Sequence, residues 1–297
     1  MRHDPALMAS APASVAARLR SDGYAVVRNA MPRTAIDALD GELAPRFART
    51  PFSEGLFSGE RTRRFHGLLK RSRGSADLVM HETIRSVAES ILLPFGDTVQ
   101  LNLTQAIELE TGAPAQIPHR DQEMWQGEKG RIEYLLNVMW PLTPFTRDNG
   151  GTMIWPRSHK RQEARRLPEE EAIVPDLDPG DALLFLGSTL HGGGVNRTDS
   201  KRRGIIVSYC LGWLKPYENM WLTYPPEVAR AFPPELRALI GYCRNRPNLG
   251  NYDGRCPSIL FSPALSDFLG TVDEFTPEQQ QVLADYEQAR CRLQVEA

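Results

Sequence analysis

The stretch Val99-Gln100-Leu101-Asn102-Leu103-Thr104 alternates apolar and polar side chains. Successive residues of a strand project to opposite faces, so this alternation predicts a strand with one face in the core. Downstream, residues 132–140, 152–155, 182–186 and 204–212 are further strand candidates. They are separated by turn-rich segments such as Thr146-Arg147-Asp148-Asn149-Gly150-Gly151 and Asp178-Pro179-Gly180-Asp181, whose residues favour chain reversal. Many strands with no helical pattern between them point to antiparallel sheets, a sandwich or jelly-roll barrel, rather than to strand–helix–strand units. Upstream, helices are predicted over 15–21, from Arg33 onward with Ile36, Leu39 and Leu43 at helical spacing, and over 75–93, with a short strand at 24–28. Residues 50–64 carry Pro, Gly and Ser and read as loop. The C-terminal third turns helical at 226–243 and 277–295. We therefore expect a mainly β protein, a single domain over 1–297 whose β-core spans about 98–213 and is wrapped by N- and C-terminal helices.

A net charge of −2 gives no electrostatic reason to expect nucleic acid or an anionic membrane as partner. The longest apolar runs, such as 183–186, are strand-sized, far short of a bilayer span. The N-terminus lacks the sustained apolar stretch of a secretion signal. Cys210, Cys243, Cys256 and Cys291 show no C-x-x-C spacing and read as free thiols of a cytoplasmic protein. The sequence leaves the oligomeric state open, a homodimer included.

The chemistry concentrates in three places. In Gln116-Ile117-Pro118-His119-Arg120-Asp121, an imidazole and a carboxylate stand two residues apart. On an extended strand they share a face and converge on a point one metal ion can occupy. In Thr189-Leu190-His191-Gly192-Gly193-Gly194, a second histidine follows an apolar strand and precedes glycines that permit close approach. Two histidines and one carboxylate form the facial triad of non-haem Fe(II) oxygenases, with three coordination positions left for a bidentate 2-oxo acid and dioxygen. Finally, Lys201-Arg202-Arg203-Gly204 places arginines at a strand start, and a planar guanidinium suits the far carboxylate of a dicarboxylic cosubstrate.

Taken together, QIPHRD (116–121), NGGTMIWPRSHK (149–160) and LHGGGVNRTDSKRRG (190–204) closely resemble the phytanoyl-CoA dioxygenase family of Fe(II)/2-oxoglutarate-dependent oxygenases, in family order and over about residues 24–213. The resemblance implies a double-stranded β-helix. It also implies Fe(II) held by His119, Asp121 and His191, with 2-oxoglutarate and O2 as cosubstrates. Arg202 falls where the family's 2-oxoglutarate-binding arginine lies; Arg203 would point to the opposite face. Gln116 and Thr152 match polar positions that contact the cosubstrate in natural-product members, and Arg64, with Arg63 as its rival, is a further candidate. Asn137, on the strand after H-x-D, is expected to line the same pocket. Gly193 stands where some members carry Ser. Because Asp121 retains the carboxylate, oxidation is favoured over halogenation. The expected reaction is hydroxylation or desaturation of a small, largely apolar molecule in specialised metabolism. A phytanoyl-type acyl-CoA hydroxylase and a cupin-type enzyme without 2-oxoglutarate are the alternatives.

Overall fold

The computed structural model describes residues 11–164, 166–263 and 265–295. By internal contacts the chain divides into two compact units, Met1–Tyr224 and Pro225–Ala297.

The first unit opens with α1 (Pro12–Asp22), which carries Pro near its start and closes on Gly23 in the left-handed region, φ 85°, a stop glycine adopts without strain. Next come β1 (Tyr24–Val27), α2 (Arg33–Arg49), β2 (Thr62–His66), α3 (Gly74–Val79), α4 (Glu82–Leu92) and β3 (Val99–Leu109). The chain then runs through β4 (Leu135–Pro141), β5 (Thr152–Ile154), β6 (Ala182–Leu186), β7 (His191–Gly193), β8 (Arg202–Leu211) and α5 (Met220–Thr223). Between β3 and β8, only short 3-10 turns interrupt the strands among the described residues, as the sequence predicts. The main sheet is antiparallel in the order β1-β6-β4-β8-β3-β2, and β5 pairs with β7 in a second, smaller sheet. This is the double-stranded β-helix architecture, with α1 and α4 backing the main sheet. A core including Val26, Ile107, Met139, Phe145, Phe185 and Ile206 fills it, and burial of such side chains drives collapse at roughly 25 cal/mol per Å².

Four local expectations change. The helix expected over 75–93 is two helices, because the His81 ring accepts from the Ile84 amide at 3.4 Å and restarts the helix as a cap. Residues 62–64 are strand rather than loop, continuing to His66. The strand expected from 132 begins at Leu135. Finally, residues 226–243 are not one helix but α6 (Pro226–Ala229) and α7 (Pro234–Leu239) of the second unit, since Pro233 and Pro234 cannot continue a helical ladder. In that second unit α8 (Pro277–Val295) forms as expected. Tyr242 packs edge-on against Phe261, and Arg244 ties the carbonyls of Gly254 and Val272 together.

Candidate metal centre and cosubstrate pocket

His119 and His191 meet through a two-residue β-bridge, each amide donating to the other's carbonyl at 2.9 and 3.0 Å. Asp121 is not on that strand, as the sequence suggests; it opens a 3-10 turn, Asp121–Met124. His119 and Asp121 still point to one side because Arg120 between them is extended, φ −117° and ψ 122°. Arg120 therefore points the other way and is buried, donating to the carbonyls of Ser188, Ala164, Ser158 and Arg161 at 3.0–3.3 Å. This clamp, unmarked in the sequence, fixes the turn that aims Asp121.

One donor atom from each of His119, Asp121 and His191 lies within 4.8 Å of the others. His119 Nε2 is 3.2 Å and His191 Nε2 is 3.5 Å from the Asp121 carboxylate. Each ring turns its Nδ1 to the carbonyl two residues before it, Ile117 for His119 at 2.9 Å and Thr189 for His191 at 3.0 Å. A carbonyl only accepts, so Nδ1 carries a proton, and Nε2 of each ring is the atom turned inward, whose lone pair serves a metal once any proton shared with Asp121 has left. Asn137 donates to Asp121 Oδ2 at 2.8 Å and orients the carboxylate. Burial opposes charge on Asp121, but the two imidazoles outweigh it and hold its carboxyl well below the usual range. Burial likewise opposes charge on His119, yet the hydrogen bond and charge of Asp121 raise it. Two neutral nitrogens and one anionic oxygen grouped on one side of a point fit a divalent first-row metal with open positions. Phe57 and Phe185 pack on the imidazoles of His119 and His191, ring centres 4.7 and 4.5 Å apart.

The cavity beside this cluster is lined by every predicted cosubstrate contact: Arg64, Gln116, Asn137, Thr152 and Arg202. Leu103, Met124, Met139 and Ile206 supply apolar wall. Arg202 is 2% exposed. Its Nη2 donates to the Gly150 carbonyl, its plane lies 4.2 Å over the Phe145 ring, and its Nε has no partner. Burial, then the charge of Arg64, pushes Arg202 down to about 9, the mark of a cation lacking its anion. Arg203 instead pairs with Glu108 at 2.6 Å and Asp40 at 3.3 Å on the other face. The same division resolves the other arginine pair: Arg63 pairs with Glu108 and Glu110, while Arg64 enters the cavity. Gln116 is at the cavity wall with both amide atoms engaged by backbone, Oε1 accepting from Gly193 and Nε2 donating to Phe57 at 3.3 Å. Phe57 and Gln105, which no sequence pattern marks, also line the cavity, as does Tyr217 from the aromatic-rich segment after the last strand.

A His-x-Asp and a distal His meeting inside a double-stranded β-helix make up the donor set of the non-haem iron dioxygenases. Residues 19–204 match the family model described as phytanoyl-CoA dioxygenase (PhyH), and the chain belongs to that family. Among relatives, it is 29% identical to the dioxygenase trt7 of Aspergillus terreus over 78% of this chain and 84% of that one. It is also 29% identical to the multifunctional dioxygenase ausE of Aspergillus calidoustus, over 79% and 85%. Among solved structures it resembles the α-ketoglutarate-dependent epimerase SnoN from nogalamycin biosynthesis, with a TM-score of 0.58 at 20% identity over 72% of this chain and 87% of that one. That likeness establishes the fold. No helix among the described residues is long and apolar enough to cross a membrane.

Proposed function

We propose that the protein is an Fe(II)/2-oxoglutarate-dependent dioxygenase that hydroxylates or desaturates a small, largely apolar metabolite in specialised natural-product biosynthesis, with His119, Asp121 and His191 as the iron ligands. The observation that carries this reading is the convergence of two inward-facing imidazole Nε2 atoms and one carboxylate within 4.8 Å. Bound there, ferrous iron would couple decarboxylation of 2-oxoglutarate, to succinate and carbon dioxide, with oxidation of a substrate C–H bond by dioxygen.

The chain's own contribution is placement. The carbonyls of Ile117 and Thr189 fix both imidazole tautomers, and Asn137 fixes the carboxylate. Arg202, buried and without a carboxylate within ion-pair distance among the described residues, offers the far carboxylate of 2-oxoglutarate two parallel hydrogen bonds. Arg64, Thr152 and Gln116 provide further polar contacts from the same wall. The apolar lining holds a substrate C–H bond near the metal and excludes water. A cupin-type reaction without a dicarboxylate gives Arg202 no task.

The dioxygenase relatives from Aspergillus and the likeness to SnoN from nogalamycin biosynthesis support the natural-product assignment. The free cysteines suit a reducing cytoplasm, where we place the reaction. In function we treat 1–297 as one dioxygenase domain, with all proposed catalytic residues drawn from the first unit. Purified protein given Fe(II), ascorbate and 2-oxoglutarate should release succinate, faster with substrate, and His119→Ala should release none. Equal succinate from wild type and His119→Ala would refute the assignment.

A further inference from the structure

Resting on the function assigned above, we propose that Gln105 and His66 are positioning residues that hold the Arg64 guanidinium ready for 2-oxoglutarate. His66 on β2 and Gln105 on β3 are directly opposed in the ladder, and Arg64 stands two residues before His66 on the same face. Arg64 Nη1 donates to Gln105 Oε1 at 3.0 Å, and Arg64 Nε donates to the Ser58 carbonyl at 3.0 Å. Gln105 Nε2 lies 2.7 Å from His66 Nε2.

The direction of this chain follows from donor chemistry. A guanidinium has no acceptor, so the amide atom facing Arg64 is the oxygen. The amide then turns its NH2 to His66, and because NH2 only donates, His66 Nε2 accepts. His66 is therefore the neutral tautomer with its proton on Nδ1. The surroundings agree. Burial, then the charges of Arg64 and Arg71, lowers the His66 pKa. Arg71 donates to the His66 carbonyl at 2.6 Å, the Tyr217 ring stacks on the imidazole at 5.7 Å, and nearby Glu218 is occupied by the Thr104 amide at 3.2 Å. Without the acceptor at His66, the Gln105 amide loses the bond that sets its orientation. Turned over, it would present NH2 to Arg64, donor against donor.

Arg64 needs such an anchor because its position is costly. It lines the same cavity as Arg202 and Asp121, and after burial its charge is the cause that lowers Arg202. It therefore lies within electrostatic reach of both the proposed distal-carboxylate pole and the metal pole of the cavity. A guanidinium free to swing out toward water would leave that place empty. Gln105, itself only 7% exposed, holds it in.

The test is calorimetric titration of 2-oxoglutarate into protein loaded with redox-inert Zn(II), for wild type, Gln105→Leu, His66→Phe and Gln105→Glu. Gln105→Leu and His66→Phe should weaken binding about tenfold. Gln105→Glu, which holds Arg64 but neutralises its charge and sets a second acceptor against His66 Nε2, should weaken binding as well. In turnover with Fe(II), the same loss should appear in KM for 2-oxoglutarate while kcat changes little. Nitrogen NMR of labelled histidine should find His66 in wild type with an unprotonated Nε2, a result independent of whether any variant folds. Wild-type binding matched by Gln105→Leu and His66→Phe, or a proton on His66 Nε2, would overturn the positioning role alone. No binding by wild type would overturn the function on which it rests.

Discussion

Strand β3 has an arginine pair on each side, Arg63-Arg64 on β2 and Arg202-Arg203 on β8, and each pair is split by the sheet. In the ladder Arg63, Glu108 and Arg203 lie in one row. On that outer face the two guanidinia share Glu108 at 2.9 and 2.6 Å, and Glu110, Asp40 and Lys201 extend the network. Arg64 and Arg202 go inward, where neither has an ion pair among the described residues and burial lowers the pKa of both. The same residue type, one position apart, is thus neutralised outside and left charged and unneutralised inside. Arg120 is also buried without an ion pair, but four carbonyls satisfy it; Arg202 keeps its Nε without a partner among the described residues, and desolvating so poorly satisfied a charge is unfavourable. A dianionic ligand reaching Arg202 and the half-buried Arg64 would offset that cost.

Substitutions at the two faces should therefore have opposite signatures. The largest effect belongs to the inner face. Arg202→Met should weaken 2-oxoglutarate binding about 100-fold, or about 2.7 kcal/mol, and should raise the melting temperature of the ligand-free protein by removing an unpaired buried charge. Calorimetric titration and thermal unfolding read both effects. On the outer face, Glu108→Gln should cost about 2 kcal/mol of stability by leaving Arg63 and Arg203 short of their shared carboxylate, with KM for 2-oxoglutarate unchanged. Denaturant unfolding beside steady-state kinetics separates the two.

Glu133, which no ligand is expected to meet, sharpens the comparison. Glu133 accepts from the Ser188 amide at 3.2 Å and from the Ser188 hydroxyl, but has no cation within ion-pair distance among the described residues. Burial pushes its carboxyl up from 4.5 to about 7. The folded chain thus holds this proton more tightly than the unfolded chain. Its stabilising contribution is complete below the unfolded value and is lost as pH rises from about 4.5 through about 7. Melting temperatures across that window should fall in wild type and stay flatter in Glu133→Gln.

The smallest effect lies at Gly193. A Cβ there would stand 3.8 Å from Gln116 Oε1 and 3.9 Å from Arg202 Nη2, ordinary contact distances. Gly193→Ser should be accommodated and tighten 2-oxoglutarate binding by about twofold, the order of one weak added hydrogen bond. A loss of binding would place the cosubstrate elsewhere in the cavity.

The sequence made the buried strands easy to read and the site-bearing ones hard. Residues 182–186, an unbroken apolar run buried throughout, could be nothing but core. Strand β2 reads Thr-Arg-Arg-Phe-His, with polar residues on both faces, because its inner face serves the cavity and its outer face the ion network. Function erased the alternation that marks a strand. The His119/Asp121 pair was legible from its two-residue spacing, whereas the full candidate triad and the choice of Arg202 over Arg203 came from the family resemblance, strand alternation adding only that one of the two arginines can face inward. Arg120, Gln105 and His66 were not legible, since their roles depend on which carbonyl or amide the fold brings opposite them.

The central claim is that His119, Asp121 and His191 bind ferrous iron with 2-oxoglutarate on the open side. Adding 2-oxoglutarate to the Fe(II)-loaded protein without oxygen should produce the visible charge-transfer absorption of a 2-oxo acid chelating ferrous iron, and Asp121→Ala should not show it. Absence of that band in wild type, or its full persistence in Asp121→Ala, would contradict the account.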